Sequence, residues 1–186
     1  MTTPTPSQTM ASLGIVQEGD PLLAQTARRF DLPAEADDAR RVVAQIRSSM
    51  DRVATAHTFA KGMGLAAPQI GIDRAAAIVR TPAGELLTLL NPQIIEETPD
   101  TDDQYEGCLS FFDVRGKVPR AVGIQVVQQD VDGTTRITTY ERGLARLVAH
   151  EGDHLYGVLY RARMRVGVEP IPVSQYRGTG QSWSHQ

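Results

Sequence analysis

The sequence predicts an α+β fold, with strands gathered between two helices instead of alternating with them. A helical apolar period runs through the first third of the chain. Short runs of strand composition with turn signals fill the middle. A second helical stripe near the C-terminal end carries two histidines. The 186 residues are enough for one domain with its own core.

In chain order, Met1–Ser12 is rich in Thr, Pro and Ser, with no Lys or Arg and no apolar run. It is expected as a disordered leader and does not fit a secretory signal. Ala39, Val42, Val43, Ile46, Met50, Val53 and Ala54 make an apolar stripe that predicts a helix from about Ala36 to Ala60. Asp37, Arg40, Arg41, Arg47 and Asp51 fall on its solvated face, and His57 near the stripe reads as a structural histidine. Strands are expected near Ala75–Arg80 and Glu85–Leu90, with a turn at Asn91-Pro92. Val122–Gln128 and Thr134–Tyr140 read as a hairpin joined through Asp132-Gly133. Leu144, Leu147, Val148 and Leu155 predict a helix of about four turns, with Glu141 at its positive end and Gly157 as a left-handed cap. The residues from Pro172 to Gln186 are polar and expected as a loose tail, which leaves 13–171 as the folded domain.

The second helix carries His150-Glu151-Gly152-Asp153-His154, an H-E-x-x-H pattern. Positions i and i+4 share a helix face, so both imidazoles can reach one metal ion. Glu151 lies about 100° further round, where a general base can take a proton from a water at that metal.

Two histidines leave a metal site incomplete. Downstream, the only His is His185 in the polar tail, and the only Glu is Glu169, hemmed by Pro170 and Pro172. Upstream stands the single cysteine, Cys108, in Glu106-Gly107-Cys108-Leu109-Ser110. In isolation a lone Cys reads as a small buried hydrophobe. Beside an H-E-x-x-H helix it completes a thiolate and two-imidazole set with one position open, as a catalytic site requires.

The third feature is Gly62-Met63-Gly64-Leu65-Ala66-Ala67-Pro68-Gln69-Ile70-Gly71. Its G-x-G-x-x-A spacing is not a dinucleotide fingerprint, because a helix precedes it and Pro68 interrupts any helix after it. It reads as a chain passing close to a ligand, with glycines leaving room for main-chain contact. Gln69 then offers an amide to a developing oxyanion.

Together these segments resemble the peptide deformylases, whose signatures are G-x-G-L-A-A-P-Q, E-G-C-L-S and H-E-x-D-H in that order. All three stand here without mismatch at the defining positions. Gln17-Glu18-Gly19-Asp20-Pro21-Leu22-Leu23 is similar to the family's opening segment, and Val118-Pro119-Arg120 to a tripeptide it often carries. The resemblance spans roughly Ile15 to Met164. It implies mostly antiparallel sheet around a central metal-bearing helix.

The resemblance also implies roles. Cys108, His150 and His154 would bind one divalent metal, typically Fe2+ in the cell, with Zn2+, Ni2+ or Co2+ able to replace it. Glu151 would be general base and acid. Gln69 and the Leu109 amide would hold the oxyanion. Gly62, Met63 and Gly64 would run beside the substrate, with Met63 walling its first side-chain pocket and Arg115 near the cleft. The implied activity removes the formyl group from the initiator methionine of polypeptides emerging from the ribosome, releasing formate. Ala149, Phe111-Phe112 and Ala162 depart from the family's usual residues. None is a defining position, so the departures bear on the hydrogen bonds behind the ligands and on the cleft rim.

Composition narrows the rest. Twenty-two acidic against nineteen basic residues give a net charge of −3, with no basic footprint for nucleic acid. No apolar run approaches the roughly 20 residues that span a bilayer. One cysteine excludes an internal disulfide and fits a reducing cytoplasm. A monomer is expected. Two rivals stand beside the main reading: an ordinary H-E-x-x-H metallohydrolase, and a non-catalytic protein on the deformylase fold. The first lacks a downstream third ligand and leaves Cys108 and Gln69 unexplained. Intact Gln69, Cys108, His150, Glu151 and His154 argue against the second.

Overall fold

The computed structural model describes residues 3–59 and 61–178. It contains helices α1 (Pro6–Ser12), α2 (Ala36–Ala56), α3 (Arg142–Leu155) and α4 (Val173–Gly178). The strands are β1 (Met63–Ala66), β2 (Ala76–Arg80), β3 (Leu86–Leu90), β4 (Gln93–Glu97), β5 (Thr101–Glu106), β6 (Val114–Ala121), β7 (Gly123–Gln129), β8 (Thr135–Glu141) and β9 (Ile171–Pro172). They form three antiparallel sheets, β1-β2-β3, β4-β7-β8 and β5-β6-β9. Helix α3 packs against strands of all three sheets, which places its histidines at the centre. The α+β expectation holds, with antiparallel sheets around a central helix.

The long helix buries its apolar stripe as the periodicity requires. Ala39, Val42, Ile46, Met50 and Val53 join Leu65 and Ile78 in one core cluster. It ends at Ala56, with His57 as C-cap, short of the expected Ala60, which lies outside the described residues. A second cluster joins Val79 and Leu89 of the first sheet, Val126 of the second, and Ala145, Val148 and Leu155 of α3. The β7–β8 hairpin pairs Gly123 with Glu141 through Gln129 with Thr135, and left-handed Gly133 makes its turn.

Helix α3 ends in a Schellman motif: Val158 N–H donates to Asp153 O (2.9 Å) and Gly157 N–H to His154 O (3.3 Å). Gly157 has φ +70°, and a Cβ there would meet Ala24 C at 2.6 Å. Conformation and space therefore both require glycine at the expected cap.

Both expected termini need correction. Pro6–Ser12 of the leader is helical. Thr5 and Gln8 form a capping box, Pro6 opens the helix, Met10 is buried, and Asp113 Oδ1 accepts from Ser7 N–H at 2.9 Å. At the other end Ile171–Pro172 pairs with Arg115–Val114 of β6, and Val173 opens α4. The first part of the expected tail is thus built onto the fold. Its remainder, with His185, lies outside the described residues, as do Met1 and Thr2. Among the described residues no helix is long and apolar enough to cross a membrane.

Candidate metal centre and active-site cleft

Helix periodicity puts His150 and His154 on one face of α3, their ring centroids 5.1 Å apart. Cys108 leaves β5 in extended conformation and caps the 3-10 turn Leu109–Phe111. Its Sγ lies 3.3 Å from His154 Nε2. One ligand atom from each of Cys108, His150 and His154 falls within 4.8 Å of the others. Tetrahedral thiolate–imidazole coordination needs donor separations of about 3.3–3.6 Å, so small side-chain adjustments suffice. The donor set fits a borderline-soft divalent metal and leaves a position open.

Behind the ligands stands a buried network of charges. Glu106 Oε2 lies 2.9 Å from His150 Nδ1. An N–H donated there turns the Nε2 of the ring toward Cys108. Arg120 grips both oxygens of Glu106 (2.9 and 3.0 Å), and Arg146, one turn before His150 on α3, adds a third contact at 2.7 Å. Arg120 also reaches Asp153 (2.6 Å), which holds Arg163 at 2.7 Å. Arg146 is held in turn by the carbonyls of Val118 and Asp102, each at 2.9 Å. Burial alone would raise the Glu106 carboxyl, but its bonds with His150 and Arg120 hold it well below the usual carboxylate range.

Glu151 occupies a different environment. It is 2% exposed, and its Oε2 has no hydrogen-bond partner among the described residues. Burial pushes its carboxyl up to about 7. The main chain of Gly64 passes directly beneath it: a Cβ at Gly64 would stand 2.1 Å from Glu151 Oε1. That contact is the physical reason for glycine in the middle of β1. An unpaired buried carboxylate beside a metal-ligand triad is the arrangement expected of a proton-transfer group.

Gln69 is oriented by its own turn. The Ala66 N–H donates to Gln69 Oε1 (3.0 Å), which aims Nε2 at Cys108 Sγ (3.6 Å) and Ser110 Oγ (3.3 Å). Leu109 opens the 3-10 turn after Cys108, where the first amides lack partners within the turn. The opening segment ties the two loops together. Val16 N–H donates to Gln69 O (2.8 Å), Glu18 N–H to Ser110 O (2.7 Å), and Gln17 Nε2 to Leu109 O (3.3 Å).

One cleft gathers Gly62, Met63, Gly64, Gln69, Cys108, Leu109, Arg115, His150 and Glu151. His154 is 1% exposed and lies behind Cys108. All ten residues singled out in the sequence therefore meet at one place. Arg115 stacks over the Phe112 ring (4.3 Å) and donates to Phe112 O (3.0 Å) and Val114 O (2.8 Å). His57, read from the sequence as a structural histidine near the stripe, is the C-cap of α2. It lines the cleft, edge-on to Phe59 (4.7 Å) and Phe112 (5.1 Å).

Sequence reasoning missed Glu106, Arg120, Arg146 and Asp153 as supports of the ligands. Three of them stand as letters of the quoted motifs, so a signal was present. Arg146 gave only the hint of a charge between Leu144 and Leu147. Of the departures, Ala149 is buried in the second apolar cluster, and Phe111 packs on Tyr160 at 4.7 Å. Phe112 is buried in the first apolar cluster and lines the cleft, and Ala162 is exposed.

A sequence model of the family described as polypeptide deformylase matches residues 12–167. The peptide deformylase of Thermomicrobium roseum is 37% identical over 163 residues, covering 83% of this chain and 87% of that protein. That of Carboxydothermus hydrogenoformans is 35% identical over 151 residues, covering 81% and 92%. A crystal structure of the Thermotoga maritima peptide deformylase superposes with a TM-score of 0.71 at 30% identity, over 81% of this chain and 96% of the other. A Met-Ala-Ser-bound class I type b peptide deformylase from Acinetobacter baumannii gives a TM-score of 0.69 at 28% identity, over 81% and 96%. With its fold, its motifs and nearly the whole of its described body matched, this chain belongs to the polypeptide deformylase family.

Proposed function

We propose that this protein hydrolyses the formyl group from N-formylmethionyl polypeptides, releasing formate and a free N-terminus. The observation that carries the reading is the convergence of Cys108, His150 and His154 beside a buried, unpartnered Glu151. The three would hold one divalent metal, ferrous iron in the cell, with zinc, nickel or cobalt accepted by the same donors. When bound, such a metal supplies an acidified water and a Lewis acid.

The chain's own residues do the rest. Glu151 accepts a proton from the attacking water and delivers it to the departing amine nitrogen, and its raised pKa suits both halves of that task. The Gln69 Nε2–H and the Leu109 N–H donate to the formyl oxygen as it gains charge. Glu106 keeps the His150 ring in register. Strand β1 is the outermost strand of its sheet, so its free edge can pair with an extended peptide main chain. The Met-Ala-Ser held by the Acinetobacter relative begins with methionine, as a product of this reaction would.

An ordinary metallopeptidase would draw its third ligand from downstream, but Glu169 is exposed to solvent. Comparing formate release from formyl-Met and acetate release from acetyl-Met forms of one peptide tests the proposal. The formyl peptide should turn over and the acetyl peptide should be essentially inert. The gap should exceed the roughly 10–200-fold that one methyl gives in an apolar pocket, because an acetyl methyl displaces the carbonyl from its donors. Similar kcat/KM values would refute the proposed pocket.

A further inference from the structure

Two segments outside the family match, residues 6–11 of α1 and residues 171–178, meet at one side chain and its backbone, Asp113. Every polar part of Asp113 is engaged. Its Oδ1 accepts from Ser7 N–H at 2.9 Å, and its Oδ2 from Thr5 Oγ1 at 3.3 Å. Its own N–H donates to Ser7 Oγ at 3.2 Å, and its carbonyl accepts from Val173 N–H at 2.8 Å. Ser7 stands in the first turn of α1, where backbone amides lack partners within the helix and the helix end is positive, so a carboxylate suits it. Just past Asp113, Val114 and Arg115 pair with Pro172 and Ile171.

Asp113 ends the segment that starts at the ligand Cys108. The 3-10 turn between them closes with Phe111 N–H on Cys108 O at 3.2 Å, at the long end for such a bond. The Cys108 carbonyl and the Leu109 N–H belong to one planar peptide, so the bond that holds the first aims the second. What places Phe111 therefore decides where the Leu109 N–H points. Gln17 and Glu18 hold the carbonyls of Leu109 and Ser110, and Met10 of α1 is buried in the same apolar cluster as Leu109 and Phe112. Asp113 fixes the other end of the turn, two residues past Phe111.

We propose that Asp113 is a positioning residue for the reaction: by tying both chain ends to this turn, it aims the Leu109 N–H at the formyl oxygen. The inference rests on the deformylase reading and deepens it. Asp113 acts through Leu109 and is not itself a group of the cleft. Negative charge on the formyl oxygen develops only in the transition state, so a misaimed donor lowers kcat and spares substrate binding.

The test uses metal-loaded full-length protein, formyl-Met-Ala-Ser as substrate and unformylated Met-Ala-Ser as inhibitor. Asp113→Ala should lower kcat about tenfold, short of the roughly 10²-fold or more that losing an oxyanion donor outright costs. KM, metal content and the inhibition constant of the unformylated peptide, which has no formyl oxygen, should stay within about twofold. Asp113→Asn keeps an acceptor for the Ser7 N–H and should restore kcat to within about threefold of wild type. Wild-type kcat in Asp113→Ala, an Asn variant as impaired as the Ala variant, or binding constants that worsen as much as kcat would overturn the proposal. Thr5→Ala combined with Ser7→Ala asks the same question from α1 and decides it if Asp113→Ala does not fold. That pair removes the two hydroxyl contacts with Asp113 and should lower kcat about threefold at constant KM; unchanged kcat would overturn the proposal. Deuterium uptake across residues 109–113 should rise in each impaired variant, and uptake equal to wild type would overturn it too. Formate release that ignores all these substitutions sinks the positioning role alone, whereas no formate from the wild type sinks the deformylase reading with it.

Discussion

Replacing Gly64 by Ala should disable the enzyme without unfolding it. The added Cβ would lie 2.1 Å from Glu151 Oε1, 2.4 Å from Cδ and 2.5 Å from Cγ. Ordinary contact begins near 3.4 Å, so the carboxylate must retreat by more than about 1 Å. Retreat is awkward because the clash reaches Cγ as well as the tip, and Glu151 is only 2% exposed. The strand itself tolerates alanine, since Gly64 has no left-handed backbone. A 1 Å misplacement of a reacting group can cost about 10²-fold. We therefore expect kcat to fall on the order of 10²-fold while metal content and the far-ultraviolet spectrum stay at wild-type values. The assay is formate release, with elemental analysis and thermal melting on the same sample. Gly152→Ala is the matched control. It adds the same methyl to the residue after Glu151, where a Cβ meets nothing within 4 Å. In a helix it should stabilise by up to about 1 kcal/mol, or roughly 2–4 °C in Tm, and leave kcat within twofold. A Gly64→Ala protein with kcat within threefold of wild type would refute the claim that this contact positions Glu151.

Three further outcomes are expected. Cys108→Ala should lose most of its metal by elemental analysis, since no other described Cys, His, Asp or Glu joins the cluster; unchanged content would refute the ligand set. Glu151→Gln should retain the metal yet lose about 10²-fold or more in kcat, because an amide cannot accept the proton; near wild-type turnover would sink the mechanism. Glu106 predicts a pH effect on stability. Its folded pKa is depressed, so its contribution is present above the unfolded carboxylate pKa of about 4.3 and is lost as pH falls toward the lower folded value. Glu106→Gln should flatten the loss of stability below about pH 4.5 in denaturant melts. It should also cost on the order of 3 kcal/mol at neutral pH, because Arg120 and Arg146 lose their buried partner.

What was legible in the sequence follows from how each element is stabilised. Helices α2 and α3 bury a stripe, and β7 and β8 flank a glycine turn, so periodicity and turn chemistry show in the letters themselves. Helix α1 hides because its composition is that of a linker. Its signal is the Thr5-Pro6-Ser7-Gln8 start, and its stability comes from Met10 and the distant Asp113. Strand β5 hides for another reason. Thr101-Asp102-Asp103-Gln104-Tyr105-Glu106 has almost no apolar alternation, because its acids face arginines from other elements.

The site divides along the same line. The ligands and Glu151 were legible because metal chemistry restricts both residue type and spacing, and a helix converts spacing into position. Their supports were not. Glu106, Arg120, Arg146 and Asp153 come from β5, β6 and α3 and meet only after folding. A salt bridge has no preferred sequence separation, so no period announces it. Yet these groups determine how the ligands behave. A lone buried carboxylate at Glu106 would be driven toward its neutral form; two guanidiniums keep it ionised, and only an ionised Glu106 can accept the His150 N–H without competing to donate. Arg146 matters most in this respect because it shares a helix with the ligand it serves. Any shift of α3 that moves His150 moves Arg146 with it, so the contact through Glu106 couples helix position to ring orientation. The geometry of the ligands is therefore held by charge pairing across three elements as well as by the helix that displays them.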